Sequence, residues 1–195
     1  KKILRRGAEI VDAARLMGGK GIDPDGLKIN WSDLMAHKRG FTDPVPDKME
    51  KGLTGNGVET LHGAARFTGA NTLEVDGHLY QSKRFLVAAG AIPRPVNFTG
   101  ANLMIDSTGF LNLEALPKRI LFVGGGFVSF EFAHIAARAG VDPVIIDRGA
   151  RPLNAFDPDL VEMLIARSAA VGVDLRRQTE IVSITASDAG FAVEV

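Results

Sequence analysis

The chain has 195 residues, 46% hydrophobic and 24% charged, the balance of a globular protein able to bury a core. Lysine plus arginine and aspartate plus glutamate both number 23, so no net field favours nucleic acid or an anionic membrane. No uncharged apolar run approaches the roughly 18 residues of a membrane helix, nothing resembles a signal peptide, and the lack of cysteine excludes a disulfide framework or thiolate site within these residues. The expected location is cytoplasmic.

The chain opens on KKILRRGAEIVDAARLM, where Ile3, Leu4, Ile10, Val11, Ala14 and Leu16 recur at helical spacing until Gly18 and Gly19 stop the run. An opening already inside an amphipathic helix implies further sequence upstream. A turn-rich link leads to NWSDLMAHKRGFTDPVPDKMEKGLTGNG, read as a helix interrupted near Pro44 and Pro46 and closed by Gly55 and Gly57. Short β signals follow in VETLHG, ARFTG, NTLEVDG and HLYQS, with a hairpin turn at Val75–Asp76–Gly77–His78. KRFLVAAG reads as a strand buried on both faces. Beyond Pro93 and Pro95, a short helix is expected over STGFLNLEAL.

From Pro117 the pattern becomes a regular alternation. Strand 119–123, helix 126–139 with Gly140 as its stop, and strand 143–147 form a βαβ unit. Asp157 and Pro158 open a further helix that runs to Gly172, and 173–195 carries three short β runs. The change of pattern places a domain boundary near residue 115.

ILFVGGGFVSFEFAHIAARAGVDPVIIDR, residues 120–148, carries the chemistry. Gly124, Gly126 and Ser129 occupy the three positions of G-x-G-x-x-G/A. The first glycine permits a tight turn, the second lets backbone approach a pyrophosphate, and the third position needs a small residue for helix–strand packing. The pyrophosphate would sit at the N-terminus of the helix, where unpaired N–H groups and the dipole favour an anion. Asp147 lies 23 residues after Gly124, where a ribose-binding acid is expected. Arg148 and Arg151 complicate cofactor choice. The acid suits the 2′-hydroxyl of NAD and an arginine suits the 2′-phosphate of NADP, unless both arginines belong to a solvated loop. The balance favours NAD. The competing reading is a glycine turn that merely closes a βα corner.

Beyond the fingerprint, the chain resembles the pyridine nucleotide–disulfide oxidoreductases along essentially its whole length. GGGFVSFEFA is similar to the family's GGGYIxxEFA segment, and LVAAGAIPRPVNFTG to its TGxxPxxPxxxG segment. VETLHGAARFTGANTLEV resembles the G-x-A-x-F hairpin region, and FDPDL the segment after the cofactor acid. The resemblance implies an α/β, Rossmann-like FAD/NAD(P)-binding fold: a partial FAD-binding domain over 1–114 and an NAD(P)-binding domain over 115–195. KKIL is similar to the helix that follows the family's C-x-x-x-x-C disulfide, which places the redox pair just before Lys1.

The implied activity is that of a flavoprotein passing hydride from NAD(P)H through FAD to a redox-active disulfide and then to a disulfide-type small molecule. Its cofactors are FAD and NAD or NADP, and the full-length protein is expected to be a homodimer. Lys1 matches the lysine beside flavin N5, and Glu131 its carboxylate partner. These are the implied catalytic residues. Phe127 stands where many members carry a tyrosine over the nicotinamide pocket, and it lacks the hydroxyl. Val128, beside it in the same segment, is likewise implied to bind the cofactor. Ala65 is implied to offer backbone to the FAD adenine. Ala89 and Gly90 fall on the Thr-Gly pair beside the flavin, and Ser107 and Thr108 on the segment leading into the second domain. His37, His62, His78 and His134 show no metal-ligand spacing and read as surface or packing residues. The alternative is a stand-alone NAD(P)-binding module without redox turnover; KKIL argues against a third reading, a flavin oxidase or reductase without the disulfide.

Overall fold

A computed structural model of the chain describes residues 1–188 and 190–195. In chain order the elements are α1 (Lys2–Leu16), α2 (Trp31–Thr42), α3 (Val45–Gly55), β1 (Ala65–Gly69), β2 (Thr72–Val75) and β3 (His78–Gln81). They continue with α4 (Ser107–Leu111), β4 (Arg119–Val123), α5 (Phe127–Arg138), β5 (Asp142–Ile146), α6 (Pro158–Ala170), β6 (Asp174–Arg176), β7 (Ser183–Ser187) and β8 (Gly190–Glu194). The chain divides into two compact units, Lys1–Arg39 with Pro95–Val195, and Gly40–Arg94.

The larger unit is built on a parallel sheet of order β4–β5–β6, with Leu121 opposite Val144 and Ile145 opposite Leu175. Pro143 to Ile146 are all buried because both faces of β5 are covered. Ile145 packs with Phe130 and Ala133 of α5 and with Val173, while Val144 and Ile146 pack with Ile181 and Ile184 beneath the β7–β8 hairpin. The period of two along a strand produces this split. Asp157 caps α6 by accepting from the N–H groups of Asp159 and Leu160, with Pro158 at the first helical position. A third cluster joins Leu4 and Ala8 of α1, Trp31 and Met35 of α2, Phe110 of α4, and Phe132 and Ile135 of α5. Strand, helix, strand, helix, strand in parallel order is the Rossmann-like α/β arrangement expected over 119–176. Among the described residues no helix is long and apolar enough to cross a membrane.

The smaller unit carries α3 and the antiparallel meander β1–β2–β3. Asp76 and Gly77 have φ of 47° and 83°, so the β2–β3 hairpin closes through two left-handed residues. Two expectations are corrected here. VETLHG and KRFLVAAG form no strands, and Leu86 and Val87 are 93% and 72% exposed. A strand exists only within a ladder, and β1–β3 form a complete meander in which neither segment pairs. Within KRFLVAAG, Phe85 lies edge-on to Phe67 with centroids 5.1 Å apart. The helix expected over STGFLNLEAL is shorter than its segment, ending at Leu111. The other observed elements fall within a residue or two of the expected ones, including the break between α2 and α3.

Candidate dinucleotide site

The corner between β4 and α5 consists of Gly124, Gly125 and Gly126. Gly124 has φ of 95°, a conformation that L side chains rarely adopt. Gly126 is the extended N-cap of α5 and supplies no side-chain cap, so the first N–H groups of the helix are left for another acceptor. A Cβ built at Gly124 or Gly126 meets nothing within 4 Å, so the corner faces open space that a ligand can enter. Gly125 differs. Its Cβ would stand 2.5 Å from Asp147 Oδ2 and 2.7 Å from Pro152 Cβ. The fingerprint leaves that position free, and the only trace of its constraint in the sequence is that the middle residue of the corner is also glycine.

Asp147 follows β5 directly. Its N–H donates to the Arg176 carbonyl at 2.8 Å, its carbonyl accepts from Thr179 N at 3.1 Å, and its carboxylate accepts from Gly149 N at 3.3 Å. The acid is therefore held at the strand end against the glycine corner. Gly125, Gly126, Phe127 and Asp147 line one cleft of about 330 Å³. Arg148 is exposed beside it, while Arg151 donates to the Asn154 carbonyl at 3.1 Å within its own loop. Ser129 is half-buried, and Val128 packs against the α1–α2–α4 cluster.

Lys1 and Glu131, 130 positions apart, are brought together. Lys1 Nζ lies 2.5 Å from Glu131 Oε2 and 5.7 Å from the centroid of the Phe127 ring, within cation–π range. Ser107 and Thr108 form the first turn of α4, capped by Asp106, which accepts from Gly109 N. Ala65 lies on β1, and Ala89 and Gly90 lie in the irregular segment after β3, exposed and in the smaller unit, with Gly90 at φ of 75°.

Sequence reasoning missed a polar network joining α1, α5 and α6. Asp12 Oδ1 accepts from Arg138 Nη2 at 3.0 Å, and Arg167 Nη2 donates to both Asp12 oxygens at 2.8 Å. Arg138, only 8% exposed, also donates to the His134 carbonyl and meets His134 Nδ1 at 3.1 Å. A guanidinium can only donate, so Nδ1 accepts and the proton sits on Nε2, which donates to Ser168 Oγ at 2.9 Å. Ser168 in turn donates to the Leu164 carbonyl. His134 is thus a member of a satisfied network and not a free surface group. Burial, then the charges of Arg138 and Arg167, push its pKa down to about 4. For Asp12, burial opposes ionisation, but the hydrogen bonds and charges of Arg167 and Arg138 hold its carboxyl below the ordinary value of 3.8.

Between pH 6.5 and about 4 the unfolded chain therefore binds a proton at His134 that the folded chain refuses. This contribution is complete above 6.5 and is lost as the pH falls towards 4. Discounted for the half-exposed ring, the loss is about 2 kcal/mol. Asp12 adds a separate loss only below its unfolded value of 3.8. Denaturant titrations at pH 7 and pH 4.5 should show the first loss in the parent and not in His134→Gln. An equal loss in both would assign the pH dependence elsewhere.

A glycine corner at a helix N-terminus, with a carboxylate at the end of the next parallel strand, defines the class as a dinucleotide-binding α/β protein. Residues 11–195 match the pyridine nucleotide-disulphide oxidoreductase family, and the chain belongs to that family. It is 32% identical over 171 residues to a dihydrolipoyl dehydrogenase of Mycoplasma pneumoniae, covering 84% of this chain and 37% of that one. It is 29% identical over 195 residues to a glutathione reductase of Burkholderia cepacia, covering 100% of this chain and 43% of the relative. The fold superimposes on the HOCl-induced flavoprotein disulfide reductase RclA from Escherichia coli with a TM-score of 0.81 at 21% identity, over 98% of this chain and 42% of the other. The chain therefore spans about two fifths of the length of these relatives.

Proposed function

We propose that this chain carries the nicotinamide side and part of the flavin side of an FAD-dependent pyridine nucleotide–disulfide oxidoreductase. The enzyme would pass hydride from NAD(P)H through FAD to a redox-active disulfide and then to a small disulfide-type substrate. In this reading residues 1–114 belong to the FAD-binding domain and 115–195 to the NAD(P)-binding domain. The whole enzyme would be a cytoplasmic homodimer. With no cysteine among the 195 residues, the redox pair lies outside them.

The observation that carries the reading is α5 itself. Its uncapped N-terminus meets Gly124, Gly126 and Asp147, and little more than a turn further along Glu131 takes the Lys1 ammonium. The residues fit a dinucleotide: the open space at Gly124 and Gly126 admits a pyrophosphate against backbone, and the Asp147 carboxylate stands ready to accept from a ribose hydroxyl. Phe127 would cover the nicotinamide pocket, and Lys1 would present positive charge to the flavin ring, with Glu131 balancing that charge and fixing its direction. FAD, when bound, supplies electron transfer between nicotinamide and disulfide. Ala65, Ala89 and Gly90 would meet the flavin nucleotide, and Arg148 would border the adenosine ribose.

Calorimetric titration with NADH and NADPH tests the site. NADH should bind more tightly, and Asp147→Arg should lower NADH affinity by roughly tenfold or more while raising NADPH affinity, since a charged hydrogen bond contributes about 1.5–3 kcal/mol. Unchanged affinities for both would remove Asp147 from the site.

A further inference from the structure

The charged groups of α1 and α5 that touch each other occupy one seam. Lys1 and Asp12 are eleven positions apart, close to three helical turns, and so project from the same side of α1, with Leu4 and Ala8 between them on that face. On α5, Glu131, Ile135 and Arg138 recur at i, i+4 and i+7 and likewise share a face. The seam thus runs from an ion pair, Lys1 with Glu131, across buried Leu4, Ala8 and Ile135, to a second ion pair, Asp12 with Arg138. Lys1, Glu131, Asp12 and Arg138 all line a single cleft of about 430 Å³.

The two ends are unequal. Lys1 and Glu131 are 39% and 33% exposed at their side chains, and a lysine on a four-carbon stem holds one geometry poorly by itself. At the other end the arginine is buried, hydrogen-bonded to His134 at two atoms, and its Asp12 partner is claimed a second time by Arg167 of α6. Apolar contacts between the helices resist separation but resist sliding less, because neighbouring apolar residues are exchangeable. A carboxylate shared by guanidinium groups from two helices admits one register.

We infer that Asp12 is a positioning residue. Held by Arg138 and Arg167, it fixes the axial register of α1 on α5 and so delivers the Lys1 ammonium to Glu131 and the face of Phe127, about 16 Å away along the helix. The contact is a property of this chain alone. Its consequence for a flavin rests on the function proposed above.

Two readouts separate the inference from that reading. In the NMR spectrum, the ε-methylene protons of Lys1 should be shifted upfield by the Phe127 ring, with Phe127→Leu as the reference for no shift. Asp12→Ala should abolish the shift while Trp31 fluorescence and helical circular dichroism report an intact core. Asp12→Asn, isosteric and milder, should reduce it and serves if the alanine variant does not fold. An unchanged Lys1 signal in a folded variant, whatever the loss of thermal stability, overturns the inference and leaves Asp12 a structural bridge. In the FAD-loaded protein, Asp12→Ala should slow flavin reduction by NADH roughly ten- to a hundredfold, the scale of an ångström-level misplacement. A displaced Lys1 signal with an unaltered reduction rate would uphold the positioning role and overturn the placement of Lys1 at the flavin.

Discussion

Phe110→Ala should lower the stability of the larger unit by about 3–5 kcal/mol, the scale of truncating a fully buried aromatic. Phe110 is 3% exposed and stacks on Phe132 with centroids 4.3 Å apart and planes at 18°. It also meets Trp31 and Phe122 edge-on, at 6.2 Å and 5.8 Å. One ring therefore joins α2, α4, α5 and β4. Its own helix has only five residues and cannot persist by propensity. Trp31 Nε1 donates to the Leu113 carbonyl at 2.8 Å, and buried Lys38 donates to the Leu111 carbonyl at 2.6 Å and to Asn112 Oδ1 at 3.2 Å. These bonds depend on the position that Phe110 gives to α4, so a cavity there releases polar contacts as well as apolar ones. Denaturant unfolding followed by Trp31 emission measures the loss. Phe110→Leu, which refills much of the volume, should cost clearly less. A loss below about 1 kcal/mol for the alanine variant would mean that the cluster closes over the gap and that Phe110 is not its centre.

What was legible in the sequence was local. The β4–α5–β5 unit announced itself because strand, glycine corner, helix and acid follow one another within thirty positions, each with its own turn or capping chemistry. The same holds for the Asp76–Gly77 hairpin and for the Asp157 cap with its proline. KRFLVAAG misled because apolar continuity specifies burial only when neighbouring strands exist, and no property of the segment itself reveals whether they do. In α1 the apolar pattern identified a helix but not the buried set. Ile10 and Leu16 are 54% and 57% exposed, whereas Ala8, too small to weigh in the pattern, is buried against α5.

The candidate site divides in the same way. Gly124, Gly126 and Asp147 could be read from spacing, since one βαβ unit contains all three. The Lys1–Glu131 pair spans the chain, and it was reached through the resemblance of KKIL and GGGFVSFEFA to family segments. The Asp12–Arg138–Arg167–His134 network carried no signal of either kind. Its members lie on three helices and look like ordinary surface charges until the helices pack, and its histidine has none of the spacing that marks a ligand or catalytic base.

Two glycines of the corner, Gly125 and Gly126, make opposite predictions for the same substitution. Gly126→Ala adds a methyl group at an ordinary φ of −85° into open space, so the fold should be unaffected. If the corner holds a pyrophosphate, that methyl stands where the ligand must approach, and NADH affinity should fall by roughly tenfold or more at unchanged melting temperature. At Gly125 the methyl group would be driven into the Asp147 carboxylate and Pro152. Neither can retreat freely: the Asp147 backbone is bonded to Arg176 and Thr179, and the loop carrying Pro152 is tied back by Leu153 N donating to the Gly125 carbonyl at 3.0 Å. Gly125→Ala should therefore cost about 1–3 kcal/mol in stability, as overpacking does, and weaken NADH as well by displacing the ribose acid. Asp147→Ala should restore part of the lost stability but none of the binding, because it relieves one clash and removes the recognition group. Melting temperatures and NADH calorimetry on these three variants and the parent separate the roles. Stability loss at Gly125 with normal NADH binding at both glycines would make the corner purely structural and withdraw the nucleotide from it. Binding loss at Gly126 without any stability loss is the result that only an occupied corner produces.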